Sequence, residues 1–234
     1  MRIWAVVGDP RAVLPAERPK YAAIARAYAE FNRNAPPEAK LAGLQLDIEP
    51  YLNDGFNVER QAWVDAYLDT VARVKAAAAM PVEVAVPFWW STQLLERLAP
   101  LIDGLTVMNY RTDRRQLLES AAPFLAWGSA ARRDVRIALE AGPLPDESLR
   151  VYRPGASSGE LWILPIVGRP LAVLLARPVK LEGQGFAYSH TIPRPASRVS
   201  FRGDLAAMRK MLPVLEEEWR GWPQFGGIAL HGLD

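Results

Sequence analysis

The chain has 234 residues, a net charge of +2, half of its residues hydrophobic and no cysteine. That length suits one α/β domain with a sizeable core. The weak charge argues against nucleic acid or an anionic membrane as partner, the missing cysteines exclude disulfide and thiolate chemistry, and no apolar run is long enough to span a bilayer.

The first ten residues read as a core strand over 2–7 that leads to Asp9. They show no signal-peptide core or cleavage site, so the chain as given is expected in the cytoplasm, or exported if a leader is missing. Tyr21, Ile24, Tyr28 and Phe31 then recur at helical spacing. A strand is expected over 42–48 within Gly43-Leu44-Gln45-Leu46-Asp47-Ile48-Glu49-Pro50. Alternate side chains of a strand share a face, so Gln45, Asp47 and Glu49 point one way and Leu44, Leu46 and Ile48 the other. After a cap at Asn57, a helix follows on Val64, Tyr67, Leu68, Val71 and Val74.

The same alternation continues. Strands are expected over 82–87, 104–110, 135–140 and 227–231. Ser91 caps a helix carrying Leu94, Leu95, Leu98 and Leu101, and Asp113 with Gln116 forms a capping box. Leu205, Met208, Leu212, Leu215 and Trp219 mark the last helix, with a kink expected near Pro213. Residues 145–203 break the rhythm, being rich in Pro, Gly and Ser, with apolar runs at 161–167, 171–176 and 185–189. Gly168-Arg169-Pro170 reads as a hairpin turn between the first two of these runs. The segment is taken as a β-rich insertion within a single domain spanning 1–234.

Strands alternating with helices imply α/β architecture with parallel strands covered by helices. The fold expected is of TIM-barrel type and incomplete, with about six core strands where a full barrel has eight. Either the first two strand-helix units and the last helix are missing, or the 161–189 segment supplies strands that close or cover the sheet.

The candidate chemistry lies at strand ends, where such barrels carry their active sites. Asp47 and Glu49 end the second strand. Glu49 suits a general acid that protonates a glycosidic oxygen, and Asp47 a modulator acting by charge repulsion and hydrogen bonding. Helix capping or arginine binding is the plainer alternative. Glu140 ends the fifth strand and is a candidate for the reacting centre or an ion-pair partner. Trp89 and Trp90 follow the third strand within Phe88-Trp89-Trp90, where exposed rings would stack on sugars or else pack the core. Arg111 follows Tyr110 and could meet an acidic sugar or a site carboxylate. Asp9 could line the same mouth, and His231, ending the last strand, is a contact or carboxylate-orienting candidate. Two histidines do not make a zinc site of the usual kind. With no Gly-rich phosphate loop, neither metal nor cofactor is expected.

At these residues two family resemblances arise. Gln45-x-Asp47-x-Glu49 resembles the DxDxE pattern ending the fourth strand of chitinase-like TIM-barrel glycoside hydrolases, with Gln at its first acidic position. Val107-Met108-Asn109-Tyr110 resembles the Met-x-Tyr of their sixth strand. The resemblance implies Glu49 as acid, and Asp47 with Tyr110 supporting a reacting acetamido group. It also makes strand 42–48 the fourth, 82–87 the fifth, 104–110 the sixth and 2–7 the third. Glu49-Pro50 and Glu140 also resemble the acid and the nucleophile of the Glu/Glu retaining barrels, although Ile48 stands where those have Asn. Both imply hydrolysis of a polysaccharide or oligosaccharide, with a non-catalytic carbohydrate-binding barrel as the alternative.

Overall fold

The computed structural model describes residues 2–155, 157–166 and 169–233. The chain forms two compact units, one made of Met1–Pro143 with Ser200–Asp234 and the other of Leu144–Val199.

The first unit begins with β1 (Trp4–Val7), α1 (Arg18–Asn34), β2 (Gly43–Leu46), α2 (Arg60–Ala78) and β3 (Val82–Pro87). It continues with α3 (Thr92–Leu98), β4 (Gly104–Met108), α4 (Arg114–Ala131) and β5 (Asp134–Glu140). The second unit holds β6 (Glu147–Pro154), β7 (Gly159–Ile166), β8 (Arg169–Val179) and β9 (Gln184–Arg194). The chain then returns to the first unit as α5 (Leu205–Trp219) and β10 (Phe225–His231).

β1, β2, β3, β4, β5 and β10 pair in that order into one parallel sheet. Spatial order follows chain order and every connection carries a helix. A doubly wound sheet would reverse direction at a switch point, whereas this progression is that of a barrel wall. The sheet curls into an incomplete barrel with β1 and β10 as its edges. The expected strands are therefore present and in sequence.

One face of the sheet packs on the helices. Leu44, Leu46, Ile48, Val82, Val84, Val86, Leu105, Val107, Val135, Ile137 and Leu139 are essentially inaccessible and share one cluster with Tyr67, Val71, Leu95, Leu117, Phe124 and Trp219. Burying each such side chain stabilises the fold by about 1.5–3 kcal/mol. Three helices are capped by side chains: Ser91 Oγ accepts from Leu94 N, Asp113 Oδ1 from Gln116 N and Asp204 Oδ1 from Ala207 N. The Asn57 cap does not form. Residues 55–59 turn first, with Val58 and Glu59 N–H donating to Gly55 O, and α2 opens at Arg60 after Glu59. α5 continues through Pro213. On α1 the expected stripe is only partly buried, since Phe31 is exposed.

The second unit is a four-stranded antiparallel sheet in the order β6-β9-β7-β8. Trp162 is buried there and donates its indole N–H to Gly159 O. The unit adds no strand to the parallel sheet, so the idea that 161–189 closes the barrel does not hold. β7 and β8 do form a hairpin, from Ile166 opposite Arg169 onward, but the turn expected at Gly168 lies outside the described residues.

Candidate active site

The other face of the sheet is the barrel interior, and it is polar in two layers. Lower down, buried Glu83 on β3 accepts hydrogen bonds from Gln45 of β2 at 2.8 Å and from Thr106 of β4, and it pairs with Arg136 of β5. The Arg136 guanidinium also lies over the Trp4 ring, 5.4 Å from its centroid. These groups satisfy one another.

Above this floor, toward the C-terminal strand ends, a pocket of about 130 Å³ is lined by Gln45, Asp47, Thr106, Met108, Tyr110 and His231, among others. Asp47 lies just past β2. Its N–H donates to Val7 O at 2.9 Å, and Gly8 allows the two chains to meet. A Cβ at Gly8 would sit 1.7 Å from Asp47 O. Asp47 Oδ1 is buried and finds no hydrogen-bond partner. Burial pushes the Asp47 carboxyl above the ordinary carboxylate range, opposed by the nearby His231 charge.

Glu49 leaves the regular ladder. With φ −110° and ψ 74° it precedes the single turn Pro50–Leu52. Its Oε1 accepts a hydrogen bond from the Tyr51 hydroxyl. The Tyr51 ring in turn meets Trp89 edge-on, with centroids 5.0 Å apart. Burial, together with Glu49 and other negative neighbours, pushes the Tyr51 phenol upward. It stays a neutral donor near neutral pH. Glu49 does not line the pocket that holds Asp47.

Tyr110 joins these strand ends electrostatically. Burial raises its phenol first, and the charges of Glu140, Asp47 and Glu49 raise it further. Its ring stacks on His231, with centroids 6.0 Å apart and planes within 16°. Next in the chain, the Arg111 guanidinium covers the Phe88 ring at 4.1 Å and donates from Nη1 to Tyr110 O at 2.9 Å.

Glu140 is 3% exposed, and both its oxygens are engaged. Oε1 accepts from Gly142 N–H at 2.6 Å, and Oε2 lies 2.7 Å from His231 Nδ1. Gly232, at φ +64°, makes room here, because a Cβ on it would sit 2.8 Å from Glu140 Oε1. The His231 side chain, by contrast, is 67% exposed. So each oxygen of the buried Glu140 carboxyl is held by a protein partner.

The adjacent tryptophans diverge. Trp89 is 44% exposed, but Trp90 is buried edge-on against Tyr67 of α2, with centroids 5.0 Å apart. A Trp90 N–H bond to Pro87 O closes the turn that sends this ring into the core. Trp90 therefore cannot stack on a ligand, which corrects the expectation for it. Asp9 accepts from Arg11 N at 2.7 Å and caps the turn Pro10–Val13, and it does not line the pocket.

Sequence inspection missed Tyr51 and Glu83. Tyr51 had a signal, since it directly follows Glu49-Pro50. Among the described residues no group of three His, Asp or Glu side chains is placed to hold a metal, and no helix is long and apolar enough to cross a membrane.

No protein family and no curated protein matches the sequence. Solved structures with some likeness include the GH18 chitinase from Cycas revoluta in complex with allosamidin, at 12% identity and TM-score 0.41, covering 98% of this chain and 75% of that one. The endo-beta-N-acetylglucosaminidase from Cordyceps militaris aligns at 13% identity and TM-score 0.35, over 60% of this chain and 47% of that one. The carboxyl transferase domain of Rhizobium etli pyruvate carboxylase aligns at 13% identity and TM-score 0.39, over 61% of this chain. The chain spans about a quarter of the Rhizobium chain and about half of the Cordyceps chain.

Proposed function

We propose that the protein hydrolyses a glycosidic bond in a polysaccharide or oligosaccharide, with Glu49 as the general acid. The observation that carries this proposal is the cluster at the C-terminal mouth of the sheet, where Asp47, Tyr110 and His231 line one pocket, Tyr110 stacks on His231 and His231 meets Glu140; the charges of Glu140, Asp47 and Glu49 all raise the Tyr110 phenol. Acids converging from separate strand ends on one tyrosine suit a reaction that builds positive charge at an anomeric carbon.

Each group then has a task. Tyr51 fixes one oxygen of Glu49, leaving Oε2 to meet the leaving-group oxygen. Asp47 Oδ1 is a buried acceptor awaiting a donor, which a sugar hydroxyl or N–H supplies. Tyr110 keeps its proton and offers it as a hydrogen bond. Trp89 gives an exposed ring for the apolar face of a sugar, and Arg111 stands close to the same loop through Phe88. Glu140 is not the nucleophile in this scheme, since both its oxygens are engaged.

The test is a panel of cleavable glycans with Glu49→Gln. Turnover falls by a factor on the order of 10²–10⁴ while sugar binding persists. If a cleaved glycan is hydrolysed equally well by the variant, Glu49 is not the acid. A second reading is a carbohydrate-binding barrel without catalysis, favoured by the exposed Trp89 beside Tyr51. Binding without cleavage across the panel would select it.

A further inference from the structure

The interior presents one pair that the acid chemistry of Glu49 does not use, Glu140 with His231. We propose that Glu140 is a positioning residue that holds His231 by its Nδ1–H, and that Nε2 of the neutral ring is the base that takes a proton from the attacking water. This inference rests on the glycosidase function proposed above and adds its second proton transfer.

The geometry is that of an oriented base. Glu140 Oε2 lies 2.7 Å from Nδ1, and its other oxygen is locked by Gly142 N–H, so the carboxylate cannot rotate away. A carboxylate accepts, so Nδ1 carries the hydrogen, and in the neutral ring the lone pair then lies on Nε2. The ring plane is held from a second direction by stacking on Tyr110. With Nδ1 fixed against a buried carboxylate and the side chain 67% exposed, Nε2 is on the accessible end of the ring.

The other groups facing this histidine have other tasks in this scheme. Glu140 on β5 is buried with both oxygens bonded within the protein. Tyr110, following β4, is held protonated by burial and negative neighbours. Asp47, following β2, has its carboxyl raised by burial, and in this scheme its buried Oδ1 is given to binding the sugar. His231 shares the pocket with Asp47 and Tyr110 and is the group left to accept a proton there.

The step balances. The water oxygen forms a bond to the anomeric carbon as its O–H bond breaks, and that proton goes to Nε2. The bond from the anomeric carbon to the leaving oxygen breaks, and that oxygen takes the Glu49 proton. One displacement with acid and base on opposite faces inverts the anomeric centre.

The experiment has two parts. In protein labelled with ¹⁵N-histidine, two-bond ¹H–¹⁵N spectra report the tautomer, and a His190→Gln variant assigns the signals, since the chain has only two histidines. His231 is expected as the Nδ1–H form, and Glu140→Gln or Glu140→Leu is expected to shift it toward a mixture. A mixture in the unmodified protein, or a preference that survives both substitutions, overturns the positioning role.

The second part follows the first-formed anomer by ¹H NMR on a cleaved glycan. Inversion is expected. His231→Asn should lower kcat on the order of 10²-fold with KM nearly unchanged, and Glu140→Gln about 10-fold. A retained anomer, as when the substrate's own acetamido group attacks, overturns the base role, as does an unchanged kcat in His231→Asn. If no glycan is cleaved, the glycosidase function and the base role fall together, while the tautomer result still decides whether Glu140 positions His231.

Discussion

The barrel interior holds two polar layers one above the other, and they are built on opposite rules. On the floor, Glu83 is 1% exposed and answered by Gln45, Thr106 and Arg136. At the mouth, Asp47 Oδ1 is buried without a partner, and the ring of His231 stands open while its carboxylate is shut in. A buried charge with every lone pair satisfied locks strands together. A buried acceptor left bare destabilises the fold unless a ligand completes it. Polar composition alone would not separate the two layers, since each contains a glutamate paired with a base. Accessibility and missing partners separate them.

If the floor is structural, its loss should dominate stability. Glu83→Ala leaves Arg136 partly buried opposite Trp4 and strips Gln45 and Thr106 of their acceptor. We expect a loss of about 4 kcal/mol, read from denaturant midpoints, because breaking such a pair strands its partner. A loss below about 1 kcal/mol would mean that the floor is no more locked than the mouth. The tryptophans sharpen the same contrast at one turn of chain. Trp90→Ala should cost about 3 kcal/mol through the cavity it leaves against Tyr67. Trp89→Ala should change stability by no more than about 0.5 kcal/mol, as expected for a surface substitution, while oligosaccharide affinity measured by calorimetry drops. Equal stability losses would place both rings in the core. Tyr51→Phe falls between these two. It removes the hydrogen bond to Glu49 and should cost about 1 kcal/mol in stability, with a fall in kcat that Tyr51→Leu would deepen by also removing the contact with Trp89.

What could be read before the structure follows from what strand periodicity encodes. The alternation in Gly43–Pro50 separates the core residues Leu44, Leu46 and Ile48 from Gln45 and Asp47, and that division holds. It fails at Glu49, where Pro50 starts a turn and the carboxylate leaves the strand's face for Tyr51. The Glu140 position at a strand end was legible too, but its partner was not. His231 is 91 residues away in the chain, and only the parallel pairing of β5 with β10 sets the two opposite each other. Phe88-Trp89-Trp90 shows a different limit. Which ring enters the core depends on a turn closed by a backbone hydrogen bond to Pro87 O, and composition carries no trace of it. Glu83 was hidden inside Val82-Glu83-Val84-Ala85-Val86-Pro87, where a single acid in an apolar run looks like the solvent face of a strand, although it is buried against Gln45, Thr106 and Arg136 of neighbouring strands.

The effect predicted at Asp47 has an unusual sign. Burial raises the Asp47 carboxyl above its ordinary value of 3.8, with His231 pulling the other way and Tyr110, Tyr51 and Tyr67 close enough to feel its charge. Between the ordinary value and the raised folded one, the folded protein binds more protons than the unfolded chain, so stability falls as pH rises. The contribution of Asp47 is fully present below the ordinary value and is lost as pH climbs through the folded one. Asp47→Asn removes the charge that must be buried, and at pH 7 it should therefore stabilise the protein, by up to about 1 kcal/mol. The difference between the two proteins in denaturant midpoint should widen in favour of Asp47→Asn as pH rises from 3 to 7. Activity on any cleaved glycan should fall at the same time, because the unpartnered oxygen is the one offered to substrate. If Asp47→Asn is instead less stable at pH 7 than the unmodified protein, the ionised carboxylate already has a partner in the folded state. The mouth would then be satisfied in the same way as the floor, and the distinction between the two layers would be gone.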